Sequence, residues 1–251
     1  MGKVISVSNH KGGVGKTTST LNIGAALSLD PKINKVLLID FDPQGNLSRS
    51  LGITDLEFTI YGNLRGDYPI KPIEITKKLH LIPANEDLAA SEIELSSETG
   101  REFFLKDLLE NLRGNYDYIL IDCPPSLGLL TVNALTASDE VYIPVKTEFL
   151  PVTGLKTLTD VIERLKKRIN KNLKIGGIIC TQFNMRRTLD KEVVDIIDQQ
   201  FKDKVFETKI RNNVSLAEAP SVGKHIFTYS SASAGAEDYL NLTKEILARN
   251  Q

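Results

Sequence analysis

The chain has 251 residues, of which 41% are hydrophobic and 25% are charged, a composition typical of a globular protein with a sizeable core. It contains no run of about 18 apolar residues, and its first residues lack the charged and apolar regions of a signal peptide, which argues against membrane spanning and secretion. The cysteines, Cys123 and Cys180, lie in apolar runs without C-x-x-C spacing, so neither a disulfide framework nor a zinc site is expected. We therefore expect a cytoplasmic protein.

The net charge of −1 conceals an asymmetry between the two halves of the chain. Residues 1–145 hold 13 Lys and Arg against 19 Asp and Glu, a net charge of −6, whereas residues 146–251 hold 18 against 13, a net charge of +5. A basic second half permits a surface that binds a polyanion, and scattered solvated charge explains it equally well.

Short runs rich in Val, Ile and Leu alternate with longer helical patterns along the chain. This alternation predicts an α/β fold: a doubly wound, mainly parallel sheet flanked by helices on both faces. The predicted strands are Val4–Ser8, Val36–Asp40, Leu79–Pro83, Tyr118–Asp122, Val141–Val145 and Ile175–Thr181, with a shorter one near Val205–Thr208. The predicted helices are Lys16–Leu29, Phe103–Leu112, Gly154–Ile169, Lys191–Phe201 and Ala236–Ala248. No linker-like segment interrupts the pattern, so a single domain over residues 1–251 is expected, with 43–75 as its least regular stretch.

A glycine-rich segment follows the first predicted strand and opens the first predicted helix. It reads Lys11-Gly-Gly-Val-Gly-Lys-Thr-Thr18. Its glycines let the backbone turn sharply and direct N–H groups toward phosphate oxygens, and the helix N-terminus adds a favourable dipole. The Lys16 ammonium would neutralise the β- and γ-phosphates, and the Thr17 hydroxyl would bind Mg²⁺. The residues expected to contact the nucleotide here are Gly12, Gly13, Val14, Gly15, Lys16, Thr17 and Thr18.

Acidic residues follow two of the other predicted strands. Asp40 and Asp42 stand two residues apart at the end of the second strand, so both side chains can face one phosphate region if the chain stays extended. Asp122 ends a later strand, where it can hold Mg²⁺ directly or through water. The sequence therefore predicts a magnesium–nucleotide site at the carboxyl ends of these strands, with Thr17, Asp40 and Asp122 as candidate metal ligands.

The glycine-rich segment departs from the strict pattern G-x-x-x-x-G-K-[ST], because His10 stands where the first glycine belongs. The remaining pattern, K-G-G-x-G-K-[ST], resembles the deviant Walker A motif of the ParA/MinD group of P-loop ATPases. That resemblance implies a homodimer that encloses ATP, in which Lys11 reaches the phosphates bound by the other subunit. A cation supplied in this way would couple dimer formation to hydrolysis, as an arginine finger does.

The segment D-x-D-P-Q-G-N, which begins at Asp40, resembles the first switch region of the ParA/Soj partition ATPases. The resemblance implies that Asp42 orients the attacking water and that Asp40 supports the magnesium shell, although the two roles could be exchanged. Lys11, Lys16 and Asp42 are thus the predicted catalytic residues. The sequence contains no N-K-x-D motif, the pattern that would indicate binding of GTP. Asn184 stands where related ATPases present an amide to adenine, but asparagine is also an ordinary turn residue.

The run from Asn213 to Lys224 is similar to a segment, N-V-x-L-x-E-A-P-x-x-G-K, that belongs to the ParA/Soj branch. The resemblance implies ATP-dependent dimerisation, non-specific DNA binding on the nucleoid, and hydrolysis stimulated by a ParB-like partner that binds centromere DNA. The chain departs from the family pattern at Asn212 and Ser215, where many relatives carry basic residues. The candidate DNA contacts are Arg186, Arg187, Lys209, Arg211 and Lys224. The alternative is that these basic residues are ordinary solvated charges on the surface.

One alternative function stays open and three others are disfavoured. A nucleotide-binding scaffold that hydrolyses nothing is disfavoured by the intact Lys16, Asp42 and Asp122. A ParA-like ATPase could position non-DNA cargo on the nucleoid with the same chemistry. A MinD-like membrane ATPase shares the nucleotide motifs, but the predicted helix Ala236–Ala248 lacks a Lys/Arg-rich polar face, so no membrane partner is expected. An iron–sulfur relative would need paired cysteines at a dimer axis, which Cys123 and Cys180 do not resemble.

Overall fold

The computed structural model describes residues 1–147 and 151–250, and its described part is built around a sheet of seven strands. The strands are β1 (Lys3–Val7), β2 (Val36–Asp40), β3 (Ile73–Thr76), β4 (Leu79–Ile82), β5 (Tyr118–Asp122), β6 (Glu140–Lys146) and β7 (Lys174–Thr181). Their spatial order is β3-β4-β2-β5-β1-β6-β7, and every neighbouring pair is parallel except β3 and β4. All residues of β2 and β5 are buried, as expected for strands that are covered on both faces.

The helices connect successive strands and cover both faces of the sheet. They are α1 (Lys16–Leu29), α2 (Asn46–Ser50), α3 (Ile60–Arg65), α4 (Ser91–Glu94), α5 (Phe104–Glu110), α6 (Leu129–Ala137), α7 (Pro151–Arg168), α8 (Thr188–Phe201), α9 (Val214–Glu218), α10 (Ile226–Tyr229) and α11 (Ala234–Arg249). Leu38 of β2 packs in one apolar cluster with residues of α1 and α11. Its neighbour Leu37 points to the opposite cluster, which includes residues of α5 and α6. The predicted doubly wound sheet is confirmed.

The predicted strand near Val205–Thr208 is wrong. Val205 forms only an isolated bridge with Ile178. The Phe206 N–H donates to the Ile178 carbonyl at 3.0 Å, and the Ile210 N–H donates to the Cys180 carbonyl at 2.8 Å. Between these two hydrogen bonds the segment advances by four residues while β7 advances by two, so the spacing does not allow a continuous ladder.

Several elements escaped prediction because their sequence patterns are weak. The stretch 43–75, which shows no regular sequence pattern, contains α2 and α3. The short antiparallel edge strand β3 begins at its end. α6 is apolar on nearly all sides, so it lacks the amphipathic period by which surface helices are recognised. None of the helices in the described ranges is long and apolar enough to cross a bilayer.

The strand order brings the predicted acids to the glycine-rich segment. β5 lies between β1 and β2, so that Asp122 is in register with Val7 on one side and with Asp40 on the other. The segment 8–15 leaves the carboxyl end of β1 and enters α1 directly above these positions. In an open parallel sheet this edge is where ligands bind.

Candidate functional site

The phosphate-binding shape of the loop between β1 and α1 depends on two glycines in the left-handed region. Gly13 has φ 70° and Gly15 has φ 87°, values that residues with a Cβ rarely adopt. Gly15 is also the N-cap of α1, where no side chain accepts a hydrogen bond from the first turn. The first N–H groups of a 14-residue helix therefore remain available to an anion.

Lys16 places a nearly buried positive charge beside this loop. Its side chain is among the buried residues, and its ammonium group donates to the Lys11 carbonyl at 3.3 Å. Burial lowers the pKa of Lys16, while the carboxylates of Asp122 and Asp42 oppose that shift. A desolvated cation with one weak hydrogen bond is poised to bind an anionic ligand.

Asp122 is fully buried next to Thr17, the second residue of α1. The Thr17 hydroxyl donates to Asp122 Oδ2 at 2.6 Å, and the Thr20 hydroxyl lies 3.3 Å from Oδ1. Burial raises the pKa of Asp122 well above its usual range, and the nearby Asp40 carboxylate raises it further. A cation bound here would relieve the repulsion between Asp122 and Asp40. The Thr17 hydroxyl and the Asp122 carboxylate are oxygen ligands of the kind that Mg²⁺ prefers, so they fit the predicted metal.

Asp40 and Asp42 have different surroundings, although they are two residues apart. Asp40 is fully buried, and its Oδ2 accepts hydrogen bonds from the Ser48 N–H at 2.8 Å and the Ser48 hydroxyl at 2.7 Å. Burial raises the pKa of Asp40 to about 6, against the effect of these hydrogen bonds. Asp42 instead lines the open cavity, with its Oδ1 accepting the Gln44 N–H at 3.0 Å. Asp40 thus anchors α2, and Asp42 is the acid presented to a ligand.

Replacing Ser48 by alanine should lower the free energy of unfolding by about 2 kcal/mol, because a buried carboxylate loses a donor. The same hydroxyl also accepts the Ala84 N–H at 3.2 Å, which would be left without its partner. Urea unfolding measures the change. Ser50→Ala is the matched control, since its hydroxyl only donates to the Asn46 carbonyl near the surface and should cost less than about 0.5 kcal/mol. Equal losses in both variants would contradict the anchoring role of Ser48.

The loop, Lys16 and Asp42 surround one cavity of about 380 Å³. Thr17 and Thr18 lie on its wall, and α2 contributes Asn46 and Ser50. The full lining is Gly12, Gly13, Gly15, Lys16, Thr17, Thr18, Asp42, Gln44, Asn46, Ser50, Pro125 and Gln182. Lys11 is exposed and is not part of this lining. The predicted phosphate contacts of the loop are therefore brought together except for Val14, and Lys11 is on the surface. The predicted metal ligands Asp40 and Asp122 are buried and do not line the cavity.

A second cavity, of about 280 Å³, adjoins the first and was not predicted from the sequence. The two share Gly15, Thr18 and Gln182. Its remaining wall combines apolar side chains with amides; these residues are Thr181, Ile210, Arg211, Asn212, Asn213, Leu216, Ala217 and Tyr239. Asn213 Oδ1 is buried and has no hydrogen-bond donor within the described residues. This oxygen has almost no accessible surface, so it does not face the cavity. The wall is partly apolar and carries a few polar groups, which suits a small organic ligand.

Asn184 does not line either cavity. Its Oδ1 accepts the Arg186 N–H at 3.0 Å, and its own N–H donates to Asp190 at 2.8 Å. These bonds are typical of a turn residue, and the contact of its side-chain amide with adenine stays a prediction. Polar residues between β7 and α9 line the second cavity instead: Gln182, Arg211, Asn212 and Asn213. Of these, only Asn213 belongs to a segment that the sequence singles out, the ParA/Soj-like run from Asn213 to Lys224.

The candidate DNA contacts fall into two groups. Arg186, Arg187 and Lys224 are exposed. Lys209 is mostly covered and donates to the Phe206 carbonyl at 2.6 Å. Arg211 forms hydrogen bonds with both oxygens of Asp238 and with Glu237, which raise its pKa further. Lys209 and Arg211 are thus engaged within the protein, whereas the first three are free to meet a ligand.

A contact between two glycines joins the segment after α2 to the basic second half. Gly52 and Gly223 both adopt left-handed conformations, with φ 73° and 68°. A Cβ placed on Gly223 would lie 3.1 Å from the Gly52 Cα. This close backbone contact links the region anchored by Asp40 to the turn that carries Lys224.

Comparisons with known proteins agree with this geometry. A family model described as an AAA domain matches residues 2–175. The chain is 48% identical to the sporulation initiation inhibitor protein Soj of Bacillus subtilis, with 99% of each chain covered. It is 46% identical to the chromosome-partitioning ATPase Soj of Treponema pallidum, over 100% of this chain and 99% of the relative. The chain belongs to the Soj/ParA family of partition ATPases.

A solved structure extends the comparison to the fold and the ligands. Cobyrinic acid a,c-diamide synthase of Mycobacterium smegmatis, described with a bound ATP analog and magnesium, is 33% identical and has a TM-score of 0.86. The similarity covers 98% of this chain and 95% of that chain. Membership in the Soj/ParA family confirms the predicted resemblance, the P-loop fold class and the ATPase activity. The ligands of the related structure agree with the predicted cofactors, ATP and Mg²⁺.

Proposed function

We propose that this Soj/ParA family member is an ATP-driven switch that partitions chromosomal or plasmid DNA. ATP would close a homodimer that binds DNA non-specifically on the nucleoid, and a ParB-like partner would stimulate hydrolysis and release. The observation that carries the proposal is the cavity in which the glycine loop, Lys16 and Asp42 converge, in a chain whose relatives are partition proteins.

The two adjoining cavities support a specific placement of ATP. The triphosphate would lie on the loop of the larger cavity, beside Lys16, and the adenosine would occupy the smaller one. The smaller cavity has a partly apolar wall with polar groups, as a site for adenosine requires. Mg²⁺, when bound, would balance phosphate charge; Thr17 and Asp122 would hold it, with Asp40 as the further predicted ligand.

The residues around the phosphates suggest how hydrolysis would be controlled. Asp42 is the acid that lines the cavity, so it would orient the attacking water for in-line attack on the γ-phosphate. Lys11 is exposed and outside the cavity of its own subunit, a position from which it could enter the site of the partner. Release of the γ-phosphate would remove the anion that holds the two subunits together.

The DNA surface would be carried by the exposed basic residues. Arg186 and Arg187 precede α8, and Lys224 follows the Gly52–Gly223 contact. Non-specific DNA binding requires positive charge near phosphates more than any particular side chain. These residues could therefore compensate for Asn212 and Ser215, which replace basic residues of the family pattern.

The proposal is tested by measuring binding to a random-sequence DNA duplex without nucleotide, with ADP–Mg²⁺ and with ATP–Mg²⁺, each over a series of salt concentrations. We expect tight, salt-sensitive binding only with ATP. The double variant Arg186→Ala/Arg187→Ala should reduce the slope of log affinity against log salt by about 1 for each DNA phosphate that is no longer neutralised. ATP affinity should not change in this variant.

Lys32→Ala provides a matched control, because Lys32 is also exposed but belongs to the turn after α1 and is not a candidate DNA-binding residue. It should bind DNA as the wild-type protein does. If the wild-type protein binds no DNA in any nucleotide state, the DNA-based switch is wrong. If the control loses as much affinity as the double variant, Arg186 and Arg187 do not form the surface.

A further inference from the structure

The phosphate loop is held from outside by two consecutive residues at the end of β7. The Thr181 hydroxyl donates to the Val14 carbonyl at 2.8 Å. The Gln182 side-chain amide donates to the Gly13 carbonyl at 2.9 Å. These hydrogen bonds connect a strand at the edge of the sheet to the loop, although 167 and 169 residues separate the paired positions in sequence.

Fixing a carbonyl also fixes the N–H group of the following residue. In a trans peptide the C=O and N–H bonds point in opposite directions, and no cis peptide occurs in the described residues. When Gln182 holds the Gly13 carbonyl, the Val14 N–H is directed to the other side of the peptide plane. The Thr181 bond has the same effect on the Gly15 N–H. Donors fixed before the ligand arrives need no reorganisation when phosphate binds.

The backbone of Gln182 indicates that its position is imposed by the surrounding structure. Its φ is 53°, in the left-handed region that favours glycine, and the described chain has only one other non-glycine residue with positive φ, Lys202. Gln182 also belongs to the walls of both cavities, at their common boundary. Gln182 contacts the phosphate loop from this boundary in a strained conformation, so it is suited to holding the loop in one position.

We propose that Gln182 is a positioning residue of the ATPase site, which holds the Gly13 carbonyl so that the loop N–H groups face the polyphosphate. This inference rests on the proposed function, because it assumes that the triphosphate lies on the loop. Gln182 acts through the loop backbone and not on the reacting atoms. Gln182 lies at the shared boundary of the two cavities, so its hydrogen bond to the loop is expected to contribute more to the binding of phosphates than to the binding of the nucleoside.

The test compares the full-length Gln182→Met and Gln182→Gly variants with the wild-type protein. Methionine keeps the length of the side chain without a donor, and glycine removes the amide while relieving the left-handed conformation. Isothermal titration with Mg²⁺ measures the affinities for ATP and ADP, and competition measures that for adenosine. We expect both variants to lose roughly 5- to 10-fold in ATP and ADP affinity, with a clearly smaller loss for adenosine. Gln200→Met, on the exposed face of α8, should change none of them.

Each other result has a distinct meaning. ATP affinity within twofold of wild type in Gln182→Met would overturn the inference, as would an equal loss for adenosine. Retained ATP affinity in Gln182→Gly together with a loss in Gln182→Met would assign the effect to backbone strain and also overturn it. If the wild-type protein binds no ATP, the proposed function fails, and this inference fails with it.

Discussion

Replacing Lys16 by alanine is expected to weaken Mg²⁺–ATP binding by roughly 100-fold or more, because a charged hydrogen-bond donor at the phosphates is removed. Lys16 is nearly buried, and it is the one basic residue among the described residues that line the larger cavity. Isothermal titration with ATP–Mg²⁺ and ADP–Mg²⁺ measures the loss. We expect both nucleotides to be affected, since this ammonium group is positioned between the glycine loop and the acids.

The same substitution should leave the nucleotide-free protein folded. Burial lowers the pKa of Lys16, which means that desolvation of its charge outweighs the attraction of Asp122 and Asp42. Removing Lys16 relieves the desolvation of its own charge but takes a counter-charge from the buried Asp122, and because these effects oppose each other the melting temperature without nucleotide should change little. Lys11→Ala is the matched control: it changes an exposed lysine of the same loop and should retain ATP binding by the single subunit. Equal losses of ATP affinity in the two variants would contradict the assignment of Lys16 to the site of its own subunit and of Lys11 to the site of the partner.

Replacing Asp42 by alanine is expected to reduce ATP hydrolysis by roughly 10²- to 10³-fold while ATP binding persists, because the water loses the group that orients it. Under the proposed function, the variant should remain an ATP-bound dimer on DNA. Phosphate release measures hydrolysis, and DNA retention after dilution measures the trapped state. An Asp42→Ala protein that hydrolyses ATP at the wild-type rate would remove the role assigned to this carboxylate.

Asp42→Asn separates the charge of this residue from its local structural role. An asparagine Oδ1 can still accept the Gln44 N–H, so the segment after β2 should keep its conformation. Hydrolysis should nevertheless fall as it does in the alanine variant. Asp55→Asn, at an exposed position outside the cavity, should hydrolyse ATP normally. Normal hydrolysis in Asp42→Asn would instead assign the effect of alanine to a disturbed loop.

The nucleotide site illustrates how far local sequence patterns reach. The glycine loop, Lys16 and Asp122 were predictable because a phosphate site needs certain residue types at short spacing, between one strand and one helix. Asp40 and Asp42 were equally visible, but the sequence could not distinguish them. Their difference depends on Ser48, which reaches Asp40 only after α2 has folded back on β2.

The sequence does not show which basic residues are available to bind DNA. Lys209, Arg211 and Arg186 are equally basic in the sequence, and a charge count treats them alike. In the folded chain Arg211 is bound by Asp238 of α11, 27 residues away, while Arg186 remains exposed. Whether a basic side chain is available thus depends on partners that a linear pattern does not indicate.

The sequence by itself determined the alternation of buried strands and helices, the phosphate loop and the acids at the strand ends, because each depends on neighbouring residues and on hydrophobic burial. Only the tertiary structure decided what distant segments build together: the second cavity beyond β7, the Gly52–Gly223 contact and the hydrogen bond from Gln182 to the loop. These features depend on the order of strands in the sheet. A β-strand's own residues specify that it is buried, whereas its neighbours are chosen by the packing of the whole chain.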